Sequence, residues 1–168
     1  MMQARMAIAR WIGFSVLLLL AVILQIMVFP RIYALPNPLV SVAAVGSLAV
    51  FTGVRGGAAA GFVCGLLCDA LLPGVEAYFT FTMMAAGALT GLLCGKVLQR
   101  SFWPALALCA ASVTLIEFFY ILFFQIAARG VPFSAVISVG LPEVLASVCC
   151  LPLAYPAFRG VSRVFAEE

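Results

Sequence analysis

Gly53, Gly57, Gly61 and Gly65 recur every four residues, and the next position in the series is Asp69. Each step of four drifts about 40° around a helix, so Gly57 to Asp69 covers about a third of the circumference and forms one broad face. Glycines on such a face let a second backbone approach closely, which is how small residues pack membrane helices. Gly87, Gly91 and Gly95 repeat the pattern further on. The segments AAGFVCGLLC (Ala59 to Cys68) and AAGALTGLLC (Ala85 to Cys94) agree at seven of ten positions. Two readings stay open for this likeness, a duplicated unit or two small-residue faces drawn from a biased composition. The copies part at their ends, one running into Asp69 and the other into Gly95.

Three carboxylates fall in or at the ends of apolar stretches, where a charge costs about 2.5 to 3.5 kcal/mol on insertion scales. Asp69 either reaches interfacial water, caps the turn at Leu71-Leu72-Pro73-Gly74, or makes a charged contact. Glu143, just after Pro142, suits the positive end of a helix dipole. Glu117 lies deepest and is expected as a neutral acid hydrogen-bonded to another helix, with Gln25 as an amide partner.

Histidine is absent, which removes imidazole bases and the commonest metal ligand. Cys64, Cys68, Cys94, Cys109, Cys149 and Cys150 all lie in apolar segments and read as small hydrophobes, so no metal and no cofactor are expected. No nucleophile and base stand together, and every Lys and Arg maps to the end of an apolar stretch, so neither an enzyme nor a proton relay is expected. The basic residues form no run, which argues against a nucleic-acid partner.

These groups sit on a chain of 168 residues that is 66% hydrophobic and only 9% charged. Ordinary soluble domains carry about 25% charge, so this composition leaves too little polar surface to face water, and the surrounding solvent must be lipid. Apolar runs separated by Pro, Gly and basic residues predict a single all-α membrane domain with spans at about 11–29, 39–53, 57–72, 78–95, 102–128 and 141–158. The second is only 14 residues from Leu39 to Thr52, short for a crossing, and is expected to be tilted or set in thinned lipid. For the last, a short outer segment ending at Gly140 is favoured over one helix kinked at Pro142, because a mid-helix proline costs about 3 kcal/mol.

In this arrangement Arg5, Arg10, Arg55, Lys96, Arg100, Arg159 and Arg163 share one side, against Arg31 and Arg129 on the other. The positive-inside rule then places both termini in the cytoplasm. The cytoplasmic arginines read as anchors at the membrane lipid surface.

The segment GFVCGLLCDALLPG (Gly61 to Gly74) resembles the third span of the rod shape-determining protein MreD family. LQIMVFP (Leu24 to Pro30), LPNPLVS (Leu35 to Ser41), the acid Glu117 in the fifth span and the basic end after the sixth resemble that family too, so the likeness covers essentially the whole chain. One departure is PGVEAYFTFT, poor in the polar residues often found there. The resemblance implies a non-enzymatic scaffold of lateral-wall synthesis in the bacterial inner membrane. Its implied partners are an MreC-like single-span protein, RodA, a class B penicillin-binding protein and the MreB filament. It also implies an architecture like the S components of energy-coupling-factor transporters, which supplies the alternative of a lipid- or solute-binding module with a pocket at Asp69, Glu117 and Glu143. Gly61, Gly65 and Asp69 match the family signature, and Glu117 stands where other members commonly carry an acid.

Overall fold

A computed structural model describes residues 2–28, 39–71, 77–96, 102–120, 122–123 and 133–164. Five α-helices follow one another: α1 (Met2–Ile23), closed by a π-helical turn at Leu24–Val28, then α2 (Val40–Leu71), α3 (Tyr78–Lys96), α4 (Phe102–Tyr120) and α5 (Phe133–Val164). The connection through Pro30, Pro36 and Pro38, the Pro73-Gly74 turn, residues 124–128 of the expected fifth span, and Arg31, Arg100 and Arg129 lie outside the described residues.

α2 is two limbs folded back on each other. Gly53, at φ 74° and ψ −166°, breaks the helical backbone in a region that is essentially glycine's own. A straight helix would hold Ser41 and Cys68 about 40 Å apart, yet their Oγ and Sγ atoms are 3.9 Å from each other. A Cβ added at Gly57 would likewise collide with that of Ala49. The expected second and third spans are therefore the antiparallel limbs Val40 to Thr52 and Val54 to Leu71.

The first limb is the axis of the molecule. Ten consecutive residues, Ser41 to Val50, are buried, the pattern of a helix covered on every side. Gln25 meets it from the π-helical turn after α1, Cys68 from the second limb and Met83 from α3. Cys109 of α4 puts its sulfur into the notch left by Gly46, and Tyr155 of α5 lies 5.4 Å, ring to ring, from Phe51. Small residues permit this crowding. A helix screened from lipid by its neighbours need not match the bilayer in length. Its buried hydroxyls bond back into the chain, Ser47 to the Ala43 carbonyl at 2.8 Å.

The outer helices turn apolar side chains outward. Ile12, Val16, Phe62, Phe81, Leu89 and Leu153 are all exposed, while Phe14, Leu18, Ala21, Val22 and Gln25 face inward at helical spacing. Ile8–Val28, Val40–Leu71 and Gly140–Arg163 are long and apolar enough to cross a membrane, and Tyr78–Cys94 and Leu106–Tyr120 are shorter apolar helices. Val40–Leu71 reaches that length only with both limbs together. Among the described residues the fold is all-helical, with three helices long and apolar enough to cross a membrane.

One boundary differs from the sequence expectation. α5 runs unbroken from Phe133 through Pro142, Pro152 and Pro156, with no separate segment ending at Gly140. Breaking it there would free backbone groups that lipid cannot satisfy, and this outweighs the proline penalty. α4 is described from Phe102 to Tyr120, with Leu122 and Phe123 in π-helical conformation, and the expected end at 128 lies outside the described residues.

Candidate functional site

The glycine face of the second limb lies against α3, running antiparallel. Cβ atoms placed on Gly57, Gly61 and Gly65 would fall within the backbone of Gly87, Met83 and Phe79 in turn. The relation is reciprocal at the middle of the seam, where a Cβ on Gly87 would strike the Gly57 carbonyl. Gly91 approaches the backbone of Gly53 at the hairpin turn, and Gly95 lies in the last turn of α3. Backbone-to-backbone approach of this kind brings dispersion contact and weak Cα–H to carbonyl bonds that any larger residue would prevent.

Asp69 ends the series with a polar contact. Its Oδ1 accepts the Phe79 N–H at 3.0 Å, and its Oδ2 accepts the Thr80 N–H at 2.8 Å and the Thr80 hydroxyl at 2.6 Å. α3 needs this help because Ala77 occupies its N-cap position, accepting the Phe81 N–H on its carbonyl with no side chain to cap the turn that follows. Ala77 is also held at φ 57°, a left-handed conformation unusual for alanine. A carboxylate at the positive end of a helix gains from the helix dipole as well as from the hydrogen bonds. Asp69 is thus a cap of α3; the Leu72-Pro73-Gly74 turn, the other expected target, lies outside the described residues. Gly65 brings the two backbones close enough for Asp69 to reach.

α2 starts in the same way. Leu39 stands at its N-cap, accepting the Val42 and Ala43 N–H groups, and again has no polar side chain. Gln25, presented by the π-helical turn, accepts the Ser41 N–H at 2.9 Å and the Ser41 hydroxyl at 2.6 Å on Oε1. Ser147 of α5 accepts the Leu39 N–H and donates to the Glu143 carbonyl, both at 2.7 Å. The amide of Gln25 is seen bonded to Ser41 through its oxygen, and among the described residues no bond joins it to Glu117. Ser41, Thr80 and Ser147 escaped the sequence reading. Their types are ordinary, and only the apolar residues at Leu39 and Ala77 signal that a cap must come from elsewhere.

Glu117 is 7% exposed on α4. Tyr78 donates its hydroxyl to the adjacent Ile116 carbonyl at 2.6 Å, and Tyr78, Phe79 and Tyr120 pack their rings together, Phe79 and Tyr120 stacked at 5.9 Å. Glu143 lies half-buried on α5, its carbonyl accepting the Ser147 hydroxyl. The structure therefore holds Asp69 to α3 and Gln25 to α2. Among the described residues no group of three His, Cys, Asp or Glu could hold a metal ion.

Two apolar cavities flank α1. One of about 360 Å³ separates it from the second limb of α2, lined by Trp11, Ser15, Leu19, Ala59, Ala60 and Val63 among others. One of about 220 Å³ separates it from α5, between Leu20, Leu24, Ala154 and Ala157. Neither is lined by Asp69, Glu117 or Glu143.

Compared with protein-family models, curated proteins and solved structures, the chain has no match.

Proposed function

We propose that this protein is a non-enzymatic scaffold of the MreD kind, a member of the cell-elongation machinery that builds the lateral wall of rod-shaped bacteria. The observation that carries the reading is the Gly61, Gly65, Asp69 series, the part of the sequence most like that family. Here it works as a single fastening between the second limb of α2 and α3. Such a fastening serves a rigid platform.

In this reading the two limbs of α2 and the other four helices make six spans in an S-component-like architecture, with both termini on the cytoplasmic side of the bacterial inner membrane. The antiparallel contacts of the limbs and the clustering of basic residues at one end support that topology. The outward apolar faces would meet partner spans: an MreC-like single-span protein first, and through it or beside it RodA, a class B penicillin-binding protein and the MreB filament.

Purification from native membranes in mild detergent tests the reading. An MreC-like single-span protein is expected at near-equimolar yield, and the purified chain is expected to leave lipid-linked wall precursor unchanged. Turnover of that precursor, or recovery with a solute and no partner span, would replace the scaffold with an enzyme or a binding module.

A further inference from the structure

α1 and the second limb of α2 run parallel. Gln25, after α1, and Cys68, near the end of the limb, both meet Ser41. Counted back from these contacts, Arg10 stands 15 residues before Gln25 and Arg55 13 residues before Cys68, about 22 and 20 Å along their helices. The two arginines therefore belong to one end of the pair and lie at nearly the same depth. Between them and Ser41, over residues 11–19 of α1, the cavity of about 360 Å³ separates the two helices. Its floor is buried: Phe14 and Leu18 from α1, Leu48 from the first limb and Cys64 from the second. Its rim is exposed, with Trp11 and Leu19 on one side and Val63 on the other, so the cavity is a slot open sideways to lipid. Past Trp11 it continues to Ile8 as a groove on the outer face of α1, toward the arginine end.

A slot with this lining does not hold water, and left empty it forfeits the dispersion contacts of its walls. A helix of another protein is too large for it: about 10 Å across, it would displace about 900 Å³ over the about 12 Å of those residues. An acyl chain is slender enough, and lipid is the solvent at the rim. Arg10 is half-buried with its Nε enclosed, so its stem packs along the helices and its charge is held in place. Arg55 is exposed, one turn before Ala59 on the wall of the slot. Two cations at one end of an apolar slot complement a ligand with an apolar tail and an anionic head.

We propose that the slot between α1 and the second limb seats an acyl chain of an anionic phospholipid, with its phosphate end at Arg10 and Arg55. The chain fills what the small Ser15, Ala59 and Ala60 leave open and so fastens α1 to the limb. This seat lies apart from the pocket expected at Asp69, Glu117 and Glu143, and it needs no partner protein, so it stands or falls independently of the scaffold reading.

Photo-crosslinking of the full chain in vesicles tests this. The purified protein is reconstituted in phosphatidylcholine containing a small fraction of a phosphatidylglycerol or a phosphatidylcholine analogue with a diazirine in its acyl chain, and the labelled peptides are sequenced. With the phosphatidylglycerol analogue, label on residues 11–19 and 59–67 is expected to exceed label at exposed Phe81 and Leu153 by about fivefold or more, and to exceed that from the phosphatidylcholine analogue by a similar factor. Ala59→Trp, which fills the slot from its wall, is expected to abolish the excess, and R10Q/R55Q to make the two analogues equal. Should R10Q/R55Q fail to fold, exposed Arg55→Gln alone is expected to lower the preference for phosphatidylglycerol about threefold or more. Label spread evenly over the slot and the outer faces, or equal from the two analogues in the parent chain, overturns the proposal. An excess that survives Ala59→Trp, or a preference that survives loss of the arginines, overturns it as well.

Discussion

Asp69 holds Thr80 twice, accepting its backbone N–H at 2.8 Å and its hydroxyl at 2.6 Å. One carboxylate at the end of one helix thereby fixes where the next begins. Asp69→Ala leaves the first turn of α3 uncapped and is expected to cost about 2 to 3 kcal/mol, whereas Asp69→Asn, which keeps one acceptor, is expected to cost about 1 kcal/mol. Unfolding midpoints in a denaturing-detergent titration would rank them. A midpoint for Asp69→Ala equal to the parent's would show that the cap is dispensable.

Gly61 faces the Met83 carbonyl with no room for a Cβ, while Leu66 on the same limb is half exposed. Gly61→Leu should force the limb from α3 at a cost of about 3 kcal/mol. Leu66→Ala changes a lipid-facing side chain and should cost about 0.5 kcal/mol. Folded yield by size-exclusion chromatography separates the two, and equal yields would contradict the close seam.

Gly53 and Ala77 share positive φ values but differ in residue type, so opposite substitutions should move stability in opposite directions. Gly53→Ala places a side chain where the hairpin turns and is expected to cost about 1 to 3 kcal/mol. Ala77→Gly relieves a left-handed alanine and is expected to add about 1 kcal/mol. Thermal unfolding in detergent reads both. A destabilised Ala77→Gly would mean that the methyl group does more in packing than it costs in strain.

If the limbs of α2 cross the membrane in opposite directions, Arg55 beside the hairpin turn lies on the same side as Arg10 and Arg163. Single cysteines at those three positions, on a background lacking the native six, should resist an impermeant thiol reagent in intact cells and react after permeabilisation. Labelling of two or more from outside would end the six-span topology.

The seam between the second limb and α3 was legible because glycine at every fourth position has few other uses in an apolar helix, and Asp69 in register with it marked the end of the contact. The first limb was legible as a helix but not as the axis. Burial of Ser41 to Val50 on all sides comes from five neighbours, and no periodicity within ten small residues distinguishes that from one buried face. Polar pairings were hidden for a related reason: Gln25 could reach either Glu117 or Ser41, and the choice depends on the π-helical turn that aims it. Pro142 misled, because its penalty is a property of the isolated helix, whereas the continuity of α5 is set by the absence of water around a break.

The measurement closest to the central claim is cell shape on depletion of the protein in its rod-shaped host. The scaffold account expects cells to round as the protein is lost, and to recover their length when the parent chain is restored, with solute uptake unchanged throughout. Depleted cells that keep their rod shape while losing uptake of a small solute would contradict it.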